Sequence, residues 1–291
     1  MKNAHGIKVY RLANEAFPKR FFNIDSMEAI YERTNGKTNK PHRHDFYTIV
    51  WVGKGEGRHL IDFNSYPISD NLVFFVSPGQ IHQIDTTAKP KGYIITFSND
   101  FLVRSNISTE FITNINLFKP YSESPPLALT SDVVARIKAI MKEMQEFFNT
   151  DESFKYQALG ALMKLFLIHC NKVCNLERPK EMNEVSPVLQ DFRHLVEVHF
   201  RQWHKVKEYA ELLFVTPKHL NTVIKNAIGC TAKEYILDRI SMEAKRMLLY
   251  STNSAKQIAA ELGFKEPLHF SAFFKKSTGL SPTEFRNSTT Q

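Results

Sequence analysis

Residues 261–279 read ELGFKEPLHFSAFFKKSTG. An apolar helical run ends at Leu262-Gly263 and a second begins at Glu266-Pro267, because glycine permits a sharp turn and proline suits a helix's first position. Phe270, Phe273 and Phe274 share one face of the second helix, opposite Ser271, Lys275 and Lys276. Two short helices joined by a tight turn present the second one outward.

The stretch has a counterpart earlier in the chain. KEYAELLFVTPKHLNTVIKNAIGCTAKEY (207–235) lies over KQIAAELGFKEPLHFSAFFKKSTGLSPTEF (256–285). Ala210 falls on Ala259 and Leu213 on Leu262. With one residue inserted in the turn, Pro217 then falls on Pro267, His219 on His269, Lys225 on Lys275, Gly229 on Gly279 and Tyr235 on Phe285. A repeat whose apolar and turn positions agree marks a duplicated unit, and each copy has the form of a helix-turn-helix. In the first copy Leu220, Val223 and Ile224 face inward, while Lys218, Asn221, Thr222 and Lys225 share the opposite face. Asn can pair with an adenine edge and Lys with guanine or phosphate, so this stripe suits a major groove. An outward polar face is ordinary for a surface helix; two equivalent ones in a single bundle are not. Between the copies, AKEYILDRISMEAKRMLLY (232–250) reads as one long helix. Its length of about 28 Å is close to the ~34 Å between successive major-groove faces of B-DNA.

A chain of 291 residues with 43% hydrophobic content is enough for about two packed domains. The start, MKNAHGIKVYRL, has no secretory h-region, and no apolar run approaches the ~20 residues of a membrane span. The expected setting is cytoplasmic, without a membrane partner. Cys170, Cys174 and Cys230 read as small buried apolar side chains, with Cys170 and Cys174 beside His169 only a weak candidate for a metal pair. The formal charge of +8 favours an anionic partner. From Glu181 onward, however, fifteen Lys and Arg stand against twelve Asp and Glu. Placement of charge, more than its sum, must serve any nucleic-acid contact there.

The N-terminal part reads as β. DFYTIVWV (45–52), HLIDF (59–63), LVFFV (72–76) and YIITF (93–97) are rich in β-branched and aromatic residues, and GKGEG, NSYP, SPGQ and AKPKG between them carry turn chemistry. From Ser131 the pattern becomes helical: Val133, Ile137, Ile140, Met144 and Phe147 form one apolar seam. A more apolar helix follows over 154–173. ERPKEMNEVSP (177–187) reads as a linker, with Ser186 as N-cap and Pro187 opening an all-α region. The fold class expected is α+β in two domains. A sensor domain spans 1–176 (barrel about 20–105, helices about 131–173), a linker 177–186 and a helical domain 187–291.

The C-terminal hundred residues resemble the DNA-binding domain of the AraC/XylS family of bacterial transcription regulators. Ala210, Leu213, Thr216-Pro217, Leu220, Gly229, Tyr235 and Arg239 carry the likeness in the first half. Ala244, Leu248-Leu249, Ile258-Ala259, Leu262-Gly263-Phe264, Phe270-Ser271, Phe274-Lys275-Lys276, Gly279, Ser281-Pro282 and Phe285-Arg286 carry it in the second. The resemblance implies a promoter-binding regulator whose N-terminal domain senses a small molecule, with RNA polymerase a further partner if it activates. It implies DNA contacts from Lys218, His219, Asn221, Thr222 and Lys225, and from Leu268, His269, Ser271, Ala272, Lys275 and Lys276. Two departures stand out. Phe214 occupies the turn where the second copy has Gly263, and Ala272 stands where arginine is usual. The first reading helix is therefore expected to carry most base specificity, with the second adding phosphate contacts and apolar contact to thymine methyls.

KPHRHDFYTIVWVGKGEG and FVSPGQIHQID resemble the cupin-like sensor domain of the same family, which implies a barrel. His42 and His44 point to one face of an extended strand, and His82 arrives from another segment. Metal-binding cupins add a glutamate soon after the second histidine; here the chain reads Phe46-Tyr47-Thr48. No metal or other cofactor is expected, and the histidines are read as neutral rings that anchor loops or line a pocket with Tyr47, Trp51 and Arg58. The missing carboxylate also counts against a cupin metalloenzyme, and the family resemblance against a nonspecific architectural DNA binder. The seam 131–149 resembles the helix through which many such regulators pair, so a homodimer through it is a further expectation.

Overall fold

The computed structural model describes residues 8–12, 21–118, 125–150, 153–176, 187–228 and 230–288. The expected linker 177–186, its N-cap Ser186 and the turn residue Gly229 lie outside them. The chain divides into two compact units, whose described parts are 8–176 and 187–288.

The first unit contains the strands β1 (Lys8–Tyr10), β2 (Phe22–Ser26), β3 (His42–His44), β4 (Tyr47–Lys54), β5 (Gly57–Ile61), β6 (Asn64–Ile68), β7 (Leu72–Val76), β8 (Ile81–Thr86), β9 (Lys91–Phe97) and β10 (Leu127–Ala128). Its helices are α1 (Met27–Arg33), α2 (Asn99–Arg104), α3 (Thr109–Ile115), α4 (Ser131–Phe148) and α5 (Lys155–Leu176). One sheet has the order β1-β3-β8-β5-β6 and the other β10-β7-β4-β9-β2. Val50, Val52, Leu72, Phe74 and Val76 of the second sheet meet Ile61 and Ile68 of the first, closing an apolar barrel interior. NSYP, expected to turn, instead begins β6, and the turn falls at Asp62, with φ of 53°. Pro67 is tolerated there because β6 is an edge strand, where its missing N–H breaks no ladder.

Side chains alternate across a strand, so Ile49, Trp51, Val73, Phe75, Ile95 and Phe97 face away from the barrel interior. They pack instead against α4 and α5. The seam of 131–149, through which a homodimer is expected, therefore packs on the chain's own core. Val133, Ile137, Ile140 and Met144 are 0–8% exposed because they cover the chain's own sheet and α5. The outward side of α4 carries Arg136, Lys138, Lys142, Glu143 and Glu146 instead. Cys170 is buried in that core, and Cys174 is half-buried at its edge.

The second unit is all helical: α6 (Pro187–His199), α7 (Val206–Leu212), α8 (Pro217–Ile228), α9 (Ala232–Tyr250), α10 (Ala255–Glu261), α11 (Pro267–Thr278) and α12 (Pro282–Ser288). The central α9 starts on a capping box: the Thr231 hydroxyl accepts the Glu234 N–H, and the Glu234 carboxylate accepts the Thr231 N–H. Midway along it, buried Glu243 accepts hydrogen bonds from Arg239 at 3.2 Å, Arg246 at 3.4 Å and, beyond α6, Arg201 at 3.1 Å. Arg239 also reaches Glu197 of α6 at 3.1 Å and stacks over Phe200. A buried carboxylate shared among guanidinium groups fixes geometry tightly, because removing one member strands the others' charge. Among the described residues no helix is long and apolar enough to cross a membrane.

Candidate nucleic-acid interface and barrel cavity

The turns from α7 to α8 and from α10 to α11 are the same object built twice. In the first, the Leu213, Phe214 and Val215 N–H groups donate to the Tyr209, Glu211 and Ala210 carbonyls. In the second, Leu262, Gly263 and Phe264 donate to Ile258, Ala260 and Ala259, an offset of 49 at every donor and acceptor. This is a Schellman ending, which requires a left-handed residue just past the helix. Gly263 meets it at φ 78° and Phe214 at φ 53°. Ala210 and Ala259 are fully buried, and small side chains there let the paired helices approach closely.

Each turn delivers a helix with one buried face. Leu220 and Ile224 of α8, and their equivalents Phe270 and Phe274 of α11, are completely inaccessible. Burial of each such side chain contributes about 1.5–3 kcal/mol. Facing outward on α8 are Lys218, His219, Thr222, Lys225 and Asn226; on α11 the same positions hold Leu268, His269, Ala272, Lys275 and Lys276.

Two expected contact residues do not belong to these faces. Asn221 is half-buried, and its Oδ1 accepts the Ala232 N–H at 3.0 Å, capping α9. Ser271 is also half-buried, and its hydroxyl donates to the Pro267 carbonyl at 3.1 Å. Both sit about 100° around the helix from the centre of the outer stripe, and Asn221 there meets the start of α9. Asn226, which sequence reasoning missed, takes a place on the outer face. Its alignment with Lys276, fifty residues on, is the signal that could have found it.

In the first unit a cavity of about 400 Å³ opens between the barrel and α1. His42, His44 and His82 line it, together with Met27, Tyr31 and Thr48. Tyr47, Trp51 and Arg58 do not. Strand alternation turns Tyr47 to the far face of β4, where it stacks on Phe97 and meets Phe118 edge-on. Trp51, four residues on and on the same face, stacks on Tyr93, while Arg58 points to solvent from β5. The inward neighbour of Arg58 is His59, fully buried and absent from the sequence reading; the alternation within β5 would have disclosed it.

The histidines are held individually. His42 and His82 are directly opposite across the β3–β8 pair, and His44 lies two residues along β3. His42 Nδ1 pairs with the Lys40 carbonyl at 2.9 Å, His44 Nδ1 with the Thr48 hydroxyl at 3.0 Å and His82 Nδ1 with His59 Nε2 at 3.1 Å. Phe46 stacks on His44, and Tyr10 meets His42 edge-on. The turn before β8 is fixed by Asp62, which accepts from the Gln80 amide and the Ile81 N–H. Burial lowers the pKa of His42, takes His44 and His59 down to about 3, and holds His82 well below 6.5. All four rings are neutral near pH 7.

Two family models match the chain. An AraC-like ligand binding domain matches residues 26–165, and a helix-turn-helix domain matches residues 209–288. The HTH-type transcriptional activator RhaS of Yersinia pestis (strain Pestoides F) is 24% identical over 272 residues, 92% of this chain and 96% of its own. The same protein in Yersinia pseudotuberculosis serotype O:3 (strain YPIII) gives the same figures. Among solved structures, ToxT from Vibrio cholerae covers 93% of this chain and all of its own at 13% identity and a TM-score of 0.43. The C-terminal domain of AraT, a response regulator from Geobacillus stearothermophilus, is 28% identical over 36% of this chain and 88% of its own, with a TM-score of 0.35.

Proposed function

The chain is a member of the AraC family of transcriptional regulators, and from that premise we propose that α8 and α11 occupy successive major grooves of promoter DNA while the barrel cavity takes a small effector. The observation that supports it best is the twice-built turn with its two matching outward faces. A helical bundle gains nothing in stability from presenting the same five positions twice, whereas a duplex repeats its groove every helical turn.

The two faces divide the work unequally. In α8, Lys218, Thr222, Lys225 and Asn226 offer donors and acceptors to base edges and phosphates. In α11, Leu268, 80% exposed, and Ala272 offer only apolar contact, which suits thymine methyls, and Lys275 and Lys276 reach phosphates. His219 and His269 stand at equivalent points near the start of each helix. Effector occupancy then changes operator affinity by no more than the effector's differential affinity for the two states it selects between. Promoter DNA is the primary partner, with RNA polymerase added where the protein activates. The family is one of transcription factors, not enzymes.

The experiment is selection of a binding site from genomic DNA with purified protein, followed by substitution of each base pair at one fixed salt concentration. Substitutions in the half-site under α8 should cost about 1–3 kcal/mol each, and those under α11 markedly less. Equal losses in both halves would contradict the division. Indifference between the selected site and random DNA would overturn sequence-specific recognition itself.

A further inference from the structure

Each of the three cavity histidines has one ring nitrogen engaged. Their ligating nitrogens lie within 4.8 Å of one another. His82 Nε2 is wholly buried and has no hydrogen-bond partner among the described residues. Neither a water-exposed face nor an acceptor accounts for it. An unpartnered polar atom of this kind is costly in a protein interior, and here it sits across β3–β8 from His42 and beside His44. Anchoring one nitrogen of each imidazole to a carbonyl, a hydroxyl or a second ring is how metal-ligating histidines are oriented, because it sets the tautomer and leaves the other lone pair free. Lys40 O and Thr48 Oγ1 are such anchors, and His59 Nε2 is one when it accepts the His82 Nδ1–H.

We infer that His42, His44 and His82 form a binding site for one divalent transition-metal ion, with His59 as the positioning residue behind His82. Three imidazoles suit zinc, cobalt, nickel or iron, and a three-histidine set without a carboxylate is a sufficient zinc donor set that leaves a further coordination position open. Thr48, in the stretch where metal-binding cupins carry a glutamate, pairs with His44 Nδ1 instead. Three protein donors would leave a coordination position for a ligand from the cavity that the rings line. The missing carboxylate favours metal-free rings; His59, paired with His82 at 3.1 Å, weighs the other way. This inference stands apart from the DNA-binding reading and survives or fails without it.

The test uses the full chain, free of affinity tag and stripped with chelator, titrated with Co2+ and then Zn2+. One equivalent of Co2+ should bind, giving the visible d–d bands of a low-coordinate nitrogen site, and one equivalent of Zn2+ should abolish them. His44→Gln and His82→Gln should remove both signals. His59→Phe should keep the stoichiometry and weaken affinity about 10–100-fold, the usual effect of losing a ligand's hydrogen-bond partner. Far-UV circular dichroism and retained DNA binding identify the folded variants, and His44→Gln serves if His82→Gln does not fold. Absence of saturable Co2+ binding by the wild-type chain would overturn the site. So would unchanged binding by folded His44→Gln, which would place the metal elsewhere.

Discussion

At the scale of single residues, Asn221 and Asn226 exchange the roles their positions suggest. Both lie on α8 and both could pair with adenine, yet only Asn226 is exposed, while Asn221 completes the start of α9. The two are separable by experiment. Asn221→Ala should lower unfolding free energy by about 1 kcal/mol, the usual cost of a lost cap, with DNA affinity per folded molecule little changed. Asn226→Ala should leave the denaturation midpoint in place and weaken operator binding by about 1–3 kcal/mol if it reads a base. Denaturant titration and binding isotherms on both variants check this, and the reverse pattern would return Asn221 to the interface. Helical spacing alone cannot make the distinction, since it gives an angle around an axis and not the neighbour that fills it.

At the scale of elements, the duplicated turn fixes what sequence can and cannot show. The helix 232–250 matches α9, and the apolar and turn positions of the repeat fall where both turns have them. These features are local, set by periodicity, glycine and proline. The ends of β4, β5, β7 and β9 are displaced from the expected strands by no more than two residues. The facing of those strands was harder to read. Tyr47 and Trp51 looked like cavity walls because β4 is apolar on both sides, one side meeting the barrel interior and the other the helices. A strand buried on both faces loses the alternation that reveals its register. The histidine cluster was half legible: His42 and His44 share a strand face by spacing, but their meeting with His82 and His59 depends on strand order. The turn itself supplies a further expectation. A non-glycine residue in the left-handed region costs about 1–2 kcal/mol, partly offset by the entropy glycine loses on folding. Phe214→Gly should therefore stabilise by about 0.5 kcal/mol. Gly263→Ala should destabilise by considerably more than the left-handed cost, because the new Cβ would stand 2.0 Å from the Arg201 carbonyl oxygen. Chemical denaturation of both variants decides it, and a stable Gly263→Ala would mean that this carbonyl can yield.

For the molecule as a whole, the helical unit holds α8 and α11, the proposed reading helices, on one continuous support, α9. The middle of α9 is tied down at several points: Glu243 accepts from Arg201, Arg239 reaches Glu197 of α6, and Ser241 meets Ser277 of α11 at 2.8 Å. Such a support behaves like a caliper without a screw. Adding five base pairs between the two half-sites swings one of them to the opposite side of the duplex. Adding ten restores its direction but carries it roughly 34 Å further away. Both insertions should reduce binding to that of a lone half-site, as measured by gel shift on spaced operators. Recovery with ten would show that the jaws can open. On the proposed groove docking, a promoter cannot drift gradually to another spacing, and its two half-sites would be gained or lost as a unit.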